Sequence, residues 1–161
     1  MADGIEARLA ALEARVQEVT DREAIRSLRF RYHECINSEK LEFIPELFVD
    51  GGVLDFGYLG RAEGTHEISR FFDRSGSPLT FVRQFMHNHS IEVTGDRGTG
   101  YAFLEAKTIS AGEAHFVAAR YDDEYRRVGG QWKFQKMSLE PYFTVPFSEG
   151  WAQEDRLKMR R

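Results

Sequence analysis

Residues 80–146 read TFVRQFMHNHSIEVTGDRGTGYAFLEAKTISAGEAHFVAARYDDEYRRVGGQWKFQKMSLEPYFTVP, and the fold turns on this stretch. It is rich in β-branched and aromatic residues. Three groups interrupt it at which a chain readily reverses: Thr94-Gly95-Asp96-Arg97-Gly98, Ala111-Gly112 and Val128-Gly129-Gly130. Four long antiparallel strands are therefore expected, near 80–94, 99–110, 114–128 and 131–146.

Upstream the periodicity changes to helical. Ile5, Leu9, Leu12, Val16 and Val19 are spaced by four, three, four and three, which draws one narrow apolar seam along a leading amphipathic helix over residues 1–19. Such a seam calls for a partner surface. Thr20-Asp21-Arg22-Glu23 matches a capping box and predicts the start of a second helix, with apolar face Ile25, Leu28, Tyr32, Cys35 and Ile36 and an end near Asn37-Ser38. Short helical turns follow from Leu41 to Phe48, with Pro45 suited to a helix start, until Asp50-Gly51-Gly52 breaks the pattern. Val53 to Phe56 and Leu59 to Arg61 form a predicted hairpin around Gly57-Tyr58. Ile68, Phe71 and Phe72 mark a short helix, and Ser75-Gly76-Ser77-Pro78 a loop. Helices first and a meander second indicate an α+β class, a curved antiparallel sheet wrapped around N-terminal helices.

The 161 residues suit a single domain, 1–161, closing in a polar C-terminal tail at 148–161. With 42% hydrophobic and 30% charged residues the balance is globular, and 13 Phe, six Tyr and two Trp point to an aromatic interior. A net charge of −4 gives a phosphate backbone nothing to bind, so nucleic acid is excluded as a partner. The one basic run, Arg156, Lys158, Arg160 and Arg161, reads as a solvated tail. Met1-Ala2-Asp3-Gly4 has no secretory pattern and no segment reads as a bilayer span, so a cytoplasmic location with no membrane partner is expected. Cys35 is the only cysteine, which rules out an internal disulfide and a cysteine-rich zinc site.

Phosphate loops, nucleophile elbows and helix-spaced histidine pairs are missing, which leaves a few polar residues on apolar elements. Tyr32 lies on the helix stripe, either as a hydrogen-bond donor to a ligand or as a core phenol. His33, about 100° further round, is expected near the surface. Strand alternation sends His87 and His89 to one face and Asn88 to the other. Two histidines alone do not make a metal site, so none is expected. His87 reads as a candidate general base, since an imidazole titrates near neutrality. Glu105 and Lys107, Arg120 and Asp122, and the single carboxylates Asp55 and Glu92 read as solvated strand charges.

Several short stretches carry a family resemblance. They are Asp21-Arg22-Glu23-Ala24-Ile25, Leu47-Phe48-Val49-Asp50, Asn88-His89-Ser90-Ile91-Glu92-Val93, Tyr121-Asp122-Asp123-Glu124-Tyr125 and Trp132-Lys133-Phe134. Together with the order of elements they make the chain similar to the SnoaL-like branch of the nuclear-transport-factor-2-like, cone-fold superfamily. The resemblance implies a cone with an internal pocket and no cofactor. Members of that superfamily include scytalone dehydratases, hexachlorocyclohexane dehydrochlorinases, bile-acid dehydratases and polyketide cyclases. In the dehydrating members a helix-end Asp and a strand His form a dyad inside the cone, often with a Tyr and an Arg. Counted onto this chain, the Tyr falls on Tyr32, the Asp on Asn37, the His on Gln84 and the Arg near Met137. An amide accepts no proton as a general base, so the dyad mechanism does not carry over.

Three functions follow as alternatives. The first is a cofactor-free lyase or isomerase on a hydrophobic cyclic or polyketide-like substrate, with His87 as base, Tyr32 as donor and Asn37 and Gln84 as orienting groups. The second is a non-catalytic binder of a hydrophobic small molecule. The third is an association module like a dioxygenase β subunit. The expected pocket lining is Tyr32, Phe48, Phe56, Phe85, Trp132, Asn37, Gln84 and Met137. A homodimer or higher homo-oligomer is expected from the broad aromatic face of the sheet.

Overall fold

The computed structural model describes residues 2–75 and 79–152, the side chains of 2, 3 and 75 excepted. The basic run at 156–161, most of the expected tail and the Gly76-Ser77-Pro78 part of the loop lie outside the described residues.

The two expected helices are one, α1, running unbroken over Ala2–Asn37. Thr20 does not cap. Its hydroxyl donates to the Val16 carbonyl 2.8 Å away, one turn back in the same helix, and Glu23 pairs with Arg26 instead of reaching back. Between Ile5 and Asn37 there is no glycine or proline to interrupt the helix. Asp21 is held in helical register by Trp132 Nε1–H and Arg127 Nη1, each 2.8 Å from its Oδ1. This contact is the physical content of the Asp21-Arg22-Glu23 stretch: it fastens the middle of the helix to the far end of the chain. The helix stops at Glu39, whose φ of 59° takes the left-handed conformation as the Lys40 amide bonds back to Cys35.

Two 3-10 turns, Leu41–Phe43 and Pro45–Leu47, lead into β1, Phe48–Asp55. Asp50-Gly51-Gly52 does not end this strand; it shifts the register between Phe48 and Val53. A Cβ on Gly52 would sit 2.9 Å from the Val49 carbonyl oxygen, so this irregularity admits only glycine without movement. The predicted hairpin forms with a slightly later second arm, β2 at Arg61–Glu63, and α2 spans Thr65–Ser75. The four long strands are β3 (Leu79–Thr94), β4 (Arg97–Ser110), β5 (Glu113–Val128) and β6 (Gln131–Pro146). Ala111-Gly112 and Gly129-Gly130 both carry two successive positive φ values, the conformation that matches strand twist in tight hairpins.

The sheet order is β2-β1-β6-β5-β4-β3. The sheet is mixed rather than purely antiparallel, because β1 lies parallel to β6. That pairing joins the two halves of the chain, and no local pattern announces it. Register shifts at His87/Ser90 in β3 and at Ala118/Ala119 and Glu124/Tyr125 between β5 and β6 bend the sheet over α1 and α2. The core lies between, with Tyr32, Phe48, Tyr121, Tyr125 and Phe134 among its fully buried rings. Beyond Pro146 the chain folds back, and Trp151 stacks on Phe143 at 5.5 Å. Among the described residues no helix is long and apolar enough to cross a membrane.

Candidate functional site

The end of α1, the 3-10 turn at Gly57–Leu59, α2 and the concave face of the sheet enclose an open cavity of about 580 Å³. Its walls are apolar, from Ile36, Phe56, Phe72, Leu104, Val117 and Leu139. At the inner end the polar groups are Tyr32 and Gln84; Glu39, Thr80 and Thr144 also contribute to the lining.

Tyr32 is buried and edge-on to Tyr121, Phe72 and Phe134 at ring separations of 6.1–6.3 Å. Burial, reinforced by Tyr121, holds its phenol well above the usual tyrosine value, so it stays a hydrogen-bond donor at any neutral pH. Burial likewise pushes Tyr121 up to about 12, against the pull of Arg29.

His33, expected near the surface, is buried at 6% exposure. The packed face of α1 is wider than the apolar stripe suggested and takes in Arg29 and His33 beside Ile25, Leu28, Tyr32 and Ile36. His33 Nδ1 lies 2.9 Å from Gln84 Oε1, a carbonyl oxygen that accepts, so Nδ1 carries the proton. Nε2 is then a buried lone pair without a hydrogen-bond partner among the described residues. Burial, then the Arg29 charge, pull the imidazole down to about 3, leaving it neutral.

Asn37 does not line the cavity. Its side-chain amide donates to the Gln84 backbone carbonyl at 2.9 Å and its side-chain oxygen accepts the Gln84 backbone N–H at 2.7 Å, so it stands in for a neighbouring strand on the open edge of β3. Asn37→Asp keeps the acceptor but sets a carboxylate against that carbonyl. Urea unfolding should register a loss of about 1–3 kcal/mol.

The other sequence candidates lie elsewhere. Asn88, at φ 52°, forms the β3 bulge, so His87 and His89 fall on opposite faces instead of sharing one. His87 points away from the cavity, its Nε2 4.0 Å from Glu105 Oε2, and Phe85 shares that outer face with Lys107 4.7 Å above its ring. Phe48, Trp132 and Met137 are buried in the core outside the cavity: Phe48 against Phe134, Trp132 on Asp21, Met137 beside Arg29. The bulge is tolerated because position 100 is glycine, where a Cβ would lie 2.6 Å from the Ser90 carbonyl oxygen.

Beneath the cavity runs a polar chain that the sequence reading missed. Arg29, fully buried, pairs with Asp123; Tyr125 donates to Asp123 Oδ2 at 2.8 Å, and His89 Nε2 is 3.0 Å from the Tyr125 hydroxyl. Because the Tyr125 proton goes to Asp123, His89 is the donor in that last bond. Burial, then Arg29 and Arg26, lower His89 to about 4. Burial opposes the Arg29 charge, yet Asp123 and the nearby tyrosines hold it above its usual value. A signal was present: Ala119, Tyr121, Asp123 and Tyr125 alternate on one face of β5, which selects Asp123 over Asp122 as the inward carboxylate.

A mixed sheet curled into a cone around a helix, with an apolar cavity and a neutral polar floor, defines the structural class. The chain belongs to the SnoaL-like domain family, whose model matches residues 17–138. Three solved structures share the fold. A candidate scytalone dehydratase from Novosphingobium aromaticivorans is 19% identical, with a TM-score of 0.73 over 80% of this chain and 89% of its own. Hexachlorocyclohexane dehydrochlorinase LinA-type3 from Novosphingobium barchaimii is 18% identical, with a TM-score of 0.77 over 83% and 94%. A candidate aromatic ring hydroxylase from Novosphingobium aromaticivorans is 20% identical, with a TM-score of 0.73 over 81% and 96%. At these identities the likeness is one of fold, and the three names already span different chemistries.

Proposed function

We propose that the cone binds a hydrophobic, ring-containing small molecule that presents a hydrogen-bond acceptor to its inner end. The observation that carries this reading is the cavity itself: about 580 Å³ of largely apolar space, with Tyr32 and Gln84 as neutral polar groups at the floor. Cavities of several hundred Å³ with a few convergent polar groups suit such ligands. Tyr32 donates to the acceptor. Gln84, its carbonyl committed to His33 and its side-chain amide also engaged with the Tyr121 hydroxyl, is held in place with one N–H left to offer.

The test is displacement of an environment-sensitive apolar dye by a panel of cyclic ketones and their matched hydrocarbons. Tyr32→Phe should weaken the ketones by about 2- to 10-fold, the worth of one neutral hydrogen bond, and leave the hydrocarbons unchanged. Leu139→Trp should fill the cavity and abolish both. Dye binding untouched by Leu139→Trp sinks the proposal.

A second reading, a cofactor-free lyase or isomerase step, is favoured by one feature. His33 is the imidazole oriented by Gln84, with Nε2 unprotonated and without a hydrogen-bond partner among the described residues. It is a weak base, drawn down to about 3, and is not among the residues lining the cavity, so this reading requires the floor to open before Nε2 can meet a substrate. Turnover of cyclic β-hydroxy ketones that disappears in His33→Asn while ligand binding persists would support it; binding with no turnover in the wild type supports the first reading alone.

A further inference from the structure

The cone uses only the second half of α1. Residues 4–20 are all exposed, including Ile5, Leu9, Leu12, Val16 and Val19, each more than half exposed. A solitary helix does not keep five aliphatic side chains in water on one stripe without a partner. One heptad and a half beyond Val19 the same stripe carries Phe30, 65% exposed.

Three observations identify the partner. The apolar spacing is that of a coiled coil, with Leu9 and Val16 at a and Ile5, Leu12 and Val19 at d. The positions flanking the seam are sorted by charge: Glu6 and Glu13 fall at e, and Arg8, Arg15 and Arg22 at g. When two such helices run parallel, each g residue faces the following e residue of the other, so Arg8 meets Glu13 twice by symmetry. Run antiparallel, e meets e and g meets g, and every such contact sets like charges together. Finally, at 100° per residue the seam lies about 160° around the helix from the face that packs on the sheet, so both cones sit on the outside of the pair.

We propose that α1 forms a parallel, in-register, two-stranded coiled coil with a second copy of this chain along the Ile5–Val19 seam. The segment is about 22 Å long, too short to form as an isolated pair. Here the helix is already nucleated by residues 21–37 packed in the cone, so only the side-chain contacts need form. Glu23 and Arg26, paired within one chain at the next a and d positions, end the apolar run and oppose a slipped register.

The experiment uses the full chain in sedimentation equilibrium over a micromolar dilution series. The expected mass is two chains of 18.6 kDa. Leu12→Lys, at an exposed position, should leave the circular dichroism of the cone unchanged and weaken association at least 100-fold. Arg8→Glu should weaken it about 3- to 10-fold by placing Glu opposite Glu13, whereas an antiparallel pair would gain from the same change. In a Cys35→Ser background, Ile5→Cys should cross-link on oxidation; antiparallel helices would hold the two thiols about 20 Å apart. A monomer throughout, a trimer, or a dimer indifferent to Leu12→Lys overturns the proposal, and a dimer without the Ile5→Cys cross-link overturns its orientation.

Discussion

Asp123→Asn is expected to destabilise the protein by about 3–5 kcal/mol in urea unfolding, a large share of the stability of a domain this size. The substitution keeps the shape and removes the charge. Arg29 then has no counter-ion in a site with no solvent contact, its guanidinium 4.2 Å from the Tyr121 ring centre and 4.8 Å from that of Phe134, with Nη1 on Met137 Sδ. Ring faces and a thioether soften that position but do not neutralise a cation. The loss should spread, because Tyr125 and through it His89 are aligned by the same carboxylate. A double change, Arg29→Met with Asp123→Leu, removes both charges and should recover most of the stability. If Asp123→Asn costs less than 1 kcal/mol, the pair is not the electrostatic centre of the core.

Stability should also fall steeply as pH drops from about 6.5 towards 3, by about 1.4 kcal/mol per pH unit from His33 alone. The imidazole ordinarily titrates near 6.5; burial and then Arg29 hold it at about 3 in the fold. Between those values the unfolded chain binds a proton that the native chain refuses. The contribution is complete above 6.5 and is lost as pH falls through that window. His89, lowered to about 4, acts in the same direction with less weight because it is partly open to solvent. His33→Asn should flatten the profile by one proton's worth when unfolding free energies are compared at pH 7, 6, 5 and 4. A profile unchanged by that substitution would show that His33 is not held neutral by its surroundings.

Both expectations concern residues that a one-dimensional reading passes over. Arg29 and His33 are polar letters beside an apolar stripe, and Asp123 is the second of two adjacent aspartates. Tyr32 and the aromatic wall residue Phe56 were legible as cavity-facing because they continue local apolar patterns; Gln84 came from counting along the resemblance. The same counting put Asn37 in the pocket, where it is spent on the β3 backbone. His87 and His89, expected on one face, are parted by a single bulge, since one extra residue reverses the facing of everything beyond it.

What the sequence by itself determined are the features governed by neighbours within a few residues. These are four strands bounded by glycine-bearing turns, the helical period of α1 and its exposed seam, and the short hairpin and helix between Val53 and Ser75. Their causes, side-chain alternation and turn chemistry, act locally and so are written in consecutive letters. Only the tertiary structure decided that α1 runs through Thr20, that β1 lies parallel to β6, that the β3 bulge turns His87 outward, and that Arg29 meets Asp123. Each depends on a partner far along the chain, 94 residues away for that ion pair, and the free energy of burying a charge or closing a sheet is set by what arrives on the other side.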